Sequence, residues 1–190
     1  TLTAVGDDVF AIPNWYRGSW MDELAMFWRE FNSADGLKYR VYESDRWFDM
    51  CTVSSSAHAE PGETVTFHFI LTWNIPNNYN YWNPCKDENG RDITWKNYYA
   101  TLWKNSAASA EYAVLNRESL FARTAAFRDA LWNSSLDPVF KDAVASNLAV
   151  LHSPTVLRLE NGALYGWEGC RSSDGSCEGS CTHVWNYAYA

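Results

Sequence analysis

The chain contains no run close to the ~18 apolar residues that a transmembrane helix requires, so no membrane span is expected. Basic residues are scarce: 15 Lys and Arg stand against 23 Asp and Glu, for a net charge of −8. They form no cluster that would track a phosphate backbone or an anionic lipid surface, which argues against nucleic acid as a partner. The N-terminus carries no basic segment followed by an apolar one, so no signal-peptide pattern is visible. The compartment stays open. The first residue is Thr1 and the last stretch is Trp185-Asn186-Tyr187-Ala188-Tyr189-Ala190, without a helix stop signal. Both ends read as cut from something longer. Cysteine is short for a disulfide framework, since the five residues are odd in number. Cys170, Cys177, Cys181 and His183 include potential zinc ligands, but their spacing lacks the close Cys pairs of structural zinc sites. No metal and no cofactor are expected.

Aromatic residues, by contrast, are abundant: 11 Trp, 11 Tyr and 9 Phe make up 16% of the chain. Trp and Tyr join an apolar face to a polar tip, so they recur where sugars or protein surfaces are gripped. Most of these rings are nevertheless expected in a core. A hydrophobic share of 47% over 190 residues suits a globular chain, either one domain or the junction of two.

Along the chain, residues 1–18 read as extended segments broken by Gly6 and Pro13. Met21 to Phe31 places Leu24, Phe27, Trp28 and Phe31 at helical spacing. After the turn Glu60-Pro61-Gly62-Glu63, residues alternate from Thr64 to Trp73. Val65, Phe67, Phe69, Leu71 and Trp73 fall on one side, which predicts a half-buried antiparallel strand. His68, on the polar side, reads as a surface histidine. Residues 37–58, including Tyr39-Arg40-Val41-Tyr42, are expected to add strands. Residues 74–97 read as a loop in which five aromatics, counting Trp73 just before it, sit among Asn, Pro and Gly. This mixture suits either a sugar-lined site or a loop packed on its own rings.

From Tyr98 to Asn133 there is no Gly or Pro, which predicts one helix of about thirty residues, far beyond the usual ~11–12. Asp137-Pro138 reads as an N-cap and first turn. A second helix runs from there to about Leu151, the pair forming a helical hairpin. Residues 155–167 read as a β-hairpin turning at Asn161-Gly162. It delivers Trp167-Glu168-Gly169, the start of a stretch in which Glu168-Gly169 and Glu178-Gly179 are interleaved with Cys170, Cys177 and Cys181. A carboxylate on a glycine turn, with Trp167 beside it and His183 and Trp185 after it, suits sugar cleavage. The sugar ring binds on aromatic faces and the carboxylate meets the reacting carbon. The plain alternative is a polar loop whose carboxylates face water.

Three groups of residues carry a family resemblance: Phe69-Ile70-Leu71-Thr72-Trp73-Asn74-Ile75-Pro76-Asn77; Asn97-Tyr98-Tyr99-Ala100-Thr101 with Phe127-Arg128-Asp129-Ala130-Leu131; and Trp167-Glu168-Gly169 with Cys181-Thr182-His183-Val184-Trp185-Asn186-Tyr187. Over nearly its whole length the chain resembles glycoside hydrolase family 116, β-glucosidases and glucosylceramidase-like enzymes. The resemblance implies an α+β fold: residues 1–96 as the C-terminal part of an antiparallel β-sandwich domain with a linker loop, and 97–190 as the first helical hairpin of an (α/α)6 barrel. It implies retaining hydrolysis of a β-glycoside, a carbohydrate or glycolipid substrate, and Glu168 as nucleophile. Glu178 is the rival nucleophile, because the segment between Glu168 and Thr182 is longer than in the family's familiar members. Trp167, Thr182, His183 and Trp185 are the implied substrate-binding residues. The acid/base residue is expected beyond Ala190, and the stretch by itself is expected to be inactive. A non-catalytic carbohydrate-binding domain is the competing reading.

Overall fold

The computed structural model describes residues 1–169, 174–177 and 181. Glu178, Thr182, His183 and Trp185 lie outside the described residues. The chain divides into two units, Thr1–Thr72 and Trp73–Ala190.

The first unit holds strands β1 (Leu2–Val5), β2 (Val9–Ile12), β3 (Thr52–Ser55) and β4 (His68–Leu71), with helix α1 (Glu23–Phe31) between β2 and β3. Strand β1 pairs antiparallel with β4, Leu2 opposite Leu71 and Val5 opposite His68. Strand β2 pairs antiparallel with β3, Val9 opposite Ser55 and Ile12 opposite Thr52. The helical spacing of Phe27, Trp28 and Phe31 gathers their rings on one face of α1, where Phe27 stacks on Trp15 at 4.3 Å. Trp15 is fixed in turn by its Nε1, which donates to Thr52 Oγ1 at 2.7 Å. Glu30, only 8% exposed, accepts from both terminal nitrogens of Arg40.

Two expectations need correction here. The alternating stretch forms a strand only over His68–Leu71, and its apolar side is open: Phe67, Phe69 and Leu71 are exposed, Leu71 at 65%. The alternation records which residues share a face, but no described residue of this unit covers that face. Of the strands expected in residues 37–58, Thr52–Ser55 forms as β3, whereas Tyr39-Arg40-Val41-Tyr42 is not a strand. Its polar groups serve side-chain contacts instead, with Arg40 on Glu30 and the Tyr42 ring under the Arg17 guanidinium at 3.9 Å.

The second unit opens with β5 (Asn77–Tyr79) and β6 (Thr94–Lys96), paired antiparallel. The stretch read as a loop is therefore a long hairpin. Its tip turns at Gly90, φ 75°, where Asp87 Oδ1 accepts from the amides of Asn89 and Arg91. The thirty-residue helix is three helices: α2 (Tyr99–Leu102), α3 (Ser106–Leu115) and α4 (Arg117–Trp132). Trp103 is extended, and Asn105 caps α3 by accepting from the Ala108 amide at 2.9 Å. Asn116 breaks the run again at φ −110° and ψ 10°. After Asp137, whose carboxylate accepts from the Val139 amide at 3.0 Å, helix α5 (Pro138–Leu148) starts where its cap signals place it. It ends in a 3-10 turn, Ala149–His152. Strands β7 (Val156–Arg158) and β8 (Leu164–Gly166) pair antiparallel around Gly162, φ 88°. Among the described residues no helix is long and apolar enough to cross a membrane.

Candidate functional site

The second unit brings its two hairpins together at their backbones. The Tyr98 amide donates to Arg158 O at 2.8 Å, and the Glu160 amide donates to Lys96 O at 2.9 Å. The Arg158 guanidinium lies 3.7 Å over the Tyr98 ring. This junction carries the aromatic residues of the first hairpin to those of the second. Trp95 meets Tyr165 at 5.3 Å, Trp82 meets Trp95 at 5.1 Å, and Trp82 meets Trp167 at 5.4 Å. Tyr81 and Trp82 contact edge to face at 5.0 Å, the geometry that ring quadrupoles favour. Tyr81, Trp82 and Trp95 thus pack on rings of their own unit, whereas Trp73 and Tyr79 are exposed.

Trp167 is the anchor, 2% exposed. Its backbone amide donates to Thr155 O at 2.9 Å. Its indole Nε1 lies near the Tyr81 hydroxyl but makes no hydrogen bond of ordinary geometry. Burial pushes the Tyr81 phenol above its usual value, with the neighbouring indole working in the opposite sense. The Tyr81 hydroxyl donates to the carbonyl of Cys177, and the Ser176 amide donates to Gly169 O at 2.9 Å. Between these two ties, Gly175 lies against the Trp167 ring, where any Cβ would come within 2.4 Å of Cδ1. The buried indole thus lies directly under Gly175.

Glu168 follows Trp167 directly and is half-buried. Its Oε1 accepts from the Cys181 thiol at 3.3 Å. The neighbouring Cys177, then Glu168 and burial, push the Cys181 thiol up to about 11. A carboxylate beside a protonated donor, on a loop clamped to an aromatic cluster, is a group held in one orientation. Such a group can act as a nucleophile on an electrophilic carbon.

The structure thus places Trp167 and Glu168 in one clamped turn, with Trp167 buried beneath it. Trp82 and Tyr81 were legible as loop aromatics, but their packing on Trp167 was not. Gly175 and the Cys181 contact to Glu168 had no signal beyond the Gly- and Cys-rich composition of the loop. Among the described residues no group of three metal-ligating side chains converges. Cys170 and His183, the other members of the zinc set considered above, lie outside them.

Residues 2–120 match the family described as beta-glucosidase 2, glycosyl-hydrolase family 116, N-terminal domain. The matched residues end before the Glu168 turn. No curated protein matches the chain. A match over more than half of the sequence, on an α+β chain of small antiparallel sheets and short helices, is sufficient for assignment: the chain belongs to glycosyl-hydrolase family 116.

Proposed function

We propose that this chain is part of a glycosidase that cleaves β-glucosides, or a glucosylceramide-like glycolipid, with retention of configuration. Glu168 is its nucleophile. The observation that carries this reading is the fixed carboxylate: Glu168 is tied to Cys181 at 3.3 Å and sits next to the buried Trp167. In the first step a Glu168 carboxylate oxygen bonds to the anomeric carbon while the bond to the aglycone oxygen breaks. The departing oxygen takes a proton from a second carboxyl group, ~5–5.5 Å from the first in retaining enzymes. Water then attacks the same carbon and frees Glu168. We assign no residue of this chain to the proton donor. Trp167 contributes by holding the turn, while Thr182, His183 and Trp185 contact the sugar. Residues 1–96 belong in this reading to a β-sandwich domain. Residues 97–190 begin an (α/α)6 barrel, in which the exposed apolar residues of α4 and α5, such as Phe127 and Phe140, would be packed.

The test is covalent trapping of the full-length protein with a 2-deoxy-2-fluoro β-glucoside, followed by peptide mapping. The expected label is on Glu168. A label on Glu178 would retain the chemistry and move the nucleophile. Hydrolysis without a label would make the enzyme inverting. Sugar binding with neither label nor hydrolysis would leave a carbohydrate-binding domain.

A further inference from the structure

Two Asn-Gly pairs, Asn89-Gly90 and Asn161-Gly162, turn the two hairpins of the second unit. Their glycines share the left-handed region, at φ 75° and 88°. What holds each pair differs. At the second, the carboxamide is engaged, since Asn161 Oδ1 accepts from the Ala163 amide at 3.0 Å. The Gly162 amide donates to Leu159 O at 2.8 Å. Leu159 is only 8% exposed, and its own amide donates to Ala163 O at 2.9 Å. The next amide, that of Glu160, donates to Lys96 O in the neighbouring hairpin. Opening this turn therefore disturbs the junction of the two hairpins.

The first pair sits at an open tip. Every residue from 83 to 93 is exposed. The Asn89 backbone amide donates to Asp87 Oδ1 at 2.8 Å, but its carboxamide has no hydrogen-bond partner among the described residues. The Gly90 amide donates to Asp87 O at 3.0 Å, a bond between exposed residues with no packed neighbour. Such bonds open locally at little cost.

We propose that Asn89 is a deamidation site of the folded protein, and that the fold protects Asn161 from the same reaction. When the tip opens, the Gly90 nitrogen loses its proton and attacks the side-chain carbonyl carbon of Asn89. Glycine offers no side chain to hinder that approach. The bond from this carbon to the carboxamide nitrogen breaks and ammonia leaves, with a five-membered succinimide closed on the backbone. Water adds to one of the two ring carbonyls and opens the ring to isoaspartate or aspartate. One water enters for each ammonia released, and no oxidant or cofactor is needed. The product places a third carboxylate beside Asp87 and Glu88. In the isoaspartate form it also adds a methylene to the backbone between the Asn89 and Arg91 amides, both of which Asp87 Oδ1 accepts.

The experiment incubates the full-length, folded protein at mildly alkaline pH and digests samples with trypsin. Cleavage after Lys86 and Arg91 leaves Asn89 in peptide 87–91, and cleavage after Arg158 and Arg171 leaves Asn161 in peptide 159–171. Each peptide contains one Asn, so the two sites are read separately. Peptide 87–91 should gain one mass unit at least about fivefold faster than peptide 159–171, the factor that one further hydrogen bond gives an opening equilibrium. Protein isoaspartyl methyltransferase with labelled S-adenosylmethionine should mark the converted 87–91 peptide. In urea the two rates should converge, because the sequence Asn-Gly is the same at both sites. Equal rates in the folded protein, or faster conversion of Asn161, would overturn the proposal. A difference that persists undiminished in urea would overturn it too, by tracing the selectivity to the flanking residues and not to the fold.

Discussion

Gly175 and Trp167 are in such close contact that position 175 has no room for a side chain. A Cβ there would sit 2.4 Å from Cδ1, 2.6 Å from Cγ and 2.7 Å from Nε1 of the indole. The obstructing atoms belong to a rigid ring that is itself 2% exposed, so neither side can yield cheaply. Gly175→Ala should destabilise the second unit by about 1–3 kcal/mol, the usual cost of overpacking. It should also displace the turn that carries Glu168. Thermal unfolding measures the first effect and the rate of fluoroglucoside labelling the second. An alanine variant with wild-type stability and labelling would mean that the turn does not rest on the indole.

A second expectation concerns the start of α3. Asn105 is extended, at φ −163° and ψ 176°, and its side chain accepts from the Ala108 amide. Replacing an Asn N-cap with Ala typically costs about 1 kcal/mol. Asn105→Ala should lower stability by that amount, measured by urea unfolding. Asn105→Asp, which keeps an accepting oxygen, should stay near wild type.

That cap also shows why part of the fold was legible and part was not. Asp137-Pro138 announces a helix start because proline fixes φ and tolerates the first turn, and α5 begins there. Asn161-Gly162 announces a hairpin because both residues accept positive φ, and Gly162 adopts 88°. Asn105 and Asn116 announce nothing comparable. Asn is only mildly unfavourable inside a helix, so a run without Gly or Pro reads as continuous. The breaks depend on backbone angles at Trp103, Asn105 and Asn116 that composition does not encode. At the site, Trp167-Glu168-Gly169 was visible as a motif. The partners Gly175 and Cys181 were not, because contacts made across a loop leave no periodic trace. The match to glycosyl-hydrolase family 116 over residues 2–120 agrees with the resemblance read from the motifs.

In the first unit, Glu30 and Arg40 form a pair whose strength depends on pH. The Arg40 guanidinium beside it holds the Glu30 carboxyl below the usual carboxylate value, and Glu30 in turn raises Arg40. A depressed folded-state value means that the stabilisation is complete above the ordinary Glu range, near pH 4.5. It is lost as pH falls through the lower folded value. Arg40→Met leaves a buried carboxylate without its main partner, which costs about 1–3 kcal/mol. The difference in unfolding free energy between wild type and Arg40→Met should therefore be full at pH 7 and shrink at pH 3 and below. A difference that stays constant across that range would remove the pair as its cause.

The thiol beside Glu168 gives the opposite pH sign. Cys181 is pushed from the ordinary 9.0 up to about 11, first by Cys177, then by Glu168 and burial. In the unfolded chain the thiol ionises near 9, whereas in the folded chain it stays protonated. The associated stability is therefore present below pH 9 and is lost as pH rises toward 11. The melting temperature of the wild type should fall over that interval more steeply than that of Cys181→Ser, whose hydroxyl does not titrate there. Iodoacetamide should alkylate Cys181 slowly at pH 8 and faster as pH approaches 11, since the thiolate is the reactive form. Two variants at Cys181 separate positioning from packing. Cys181→Ala removes the donor to Glu168 and should lower kcat by up to about tenfold with KM little changed. Cys181→Ser keeps a donor and should restore most of that loss. If Ser and Ala are equally impaired, the sulfur matters for its volume and not for the hydrogen it offers to the carboxylate.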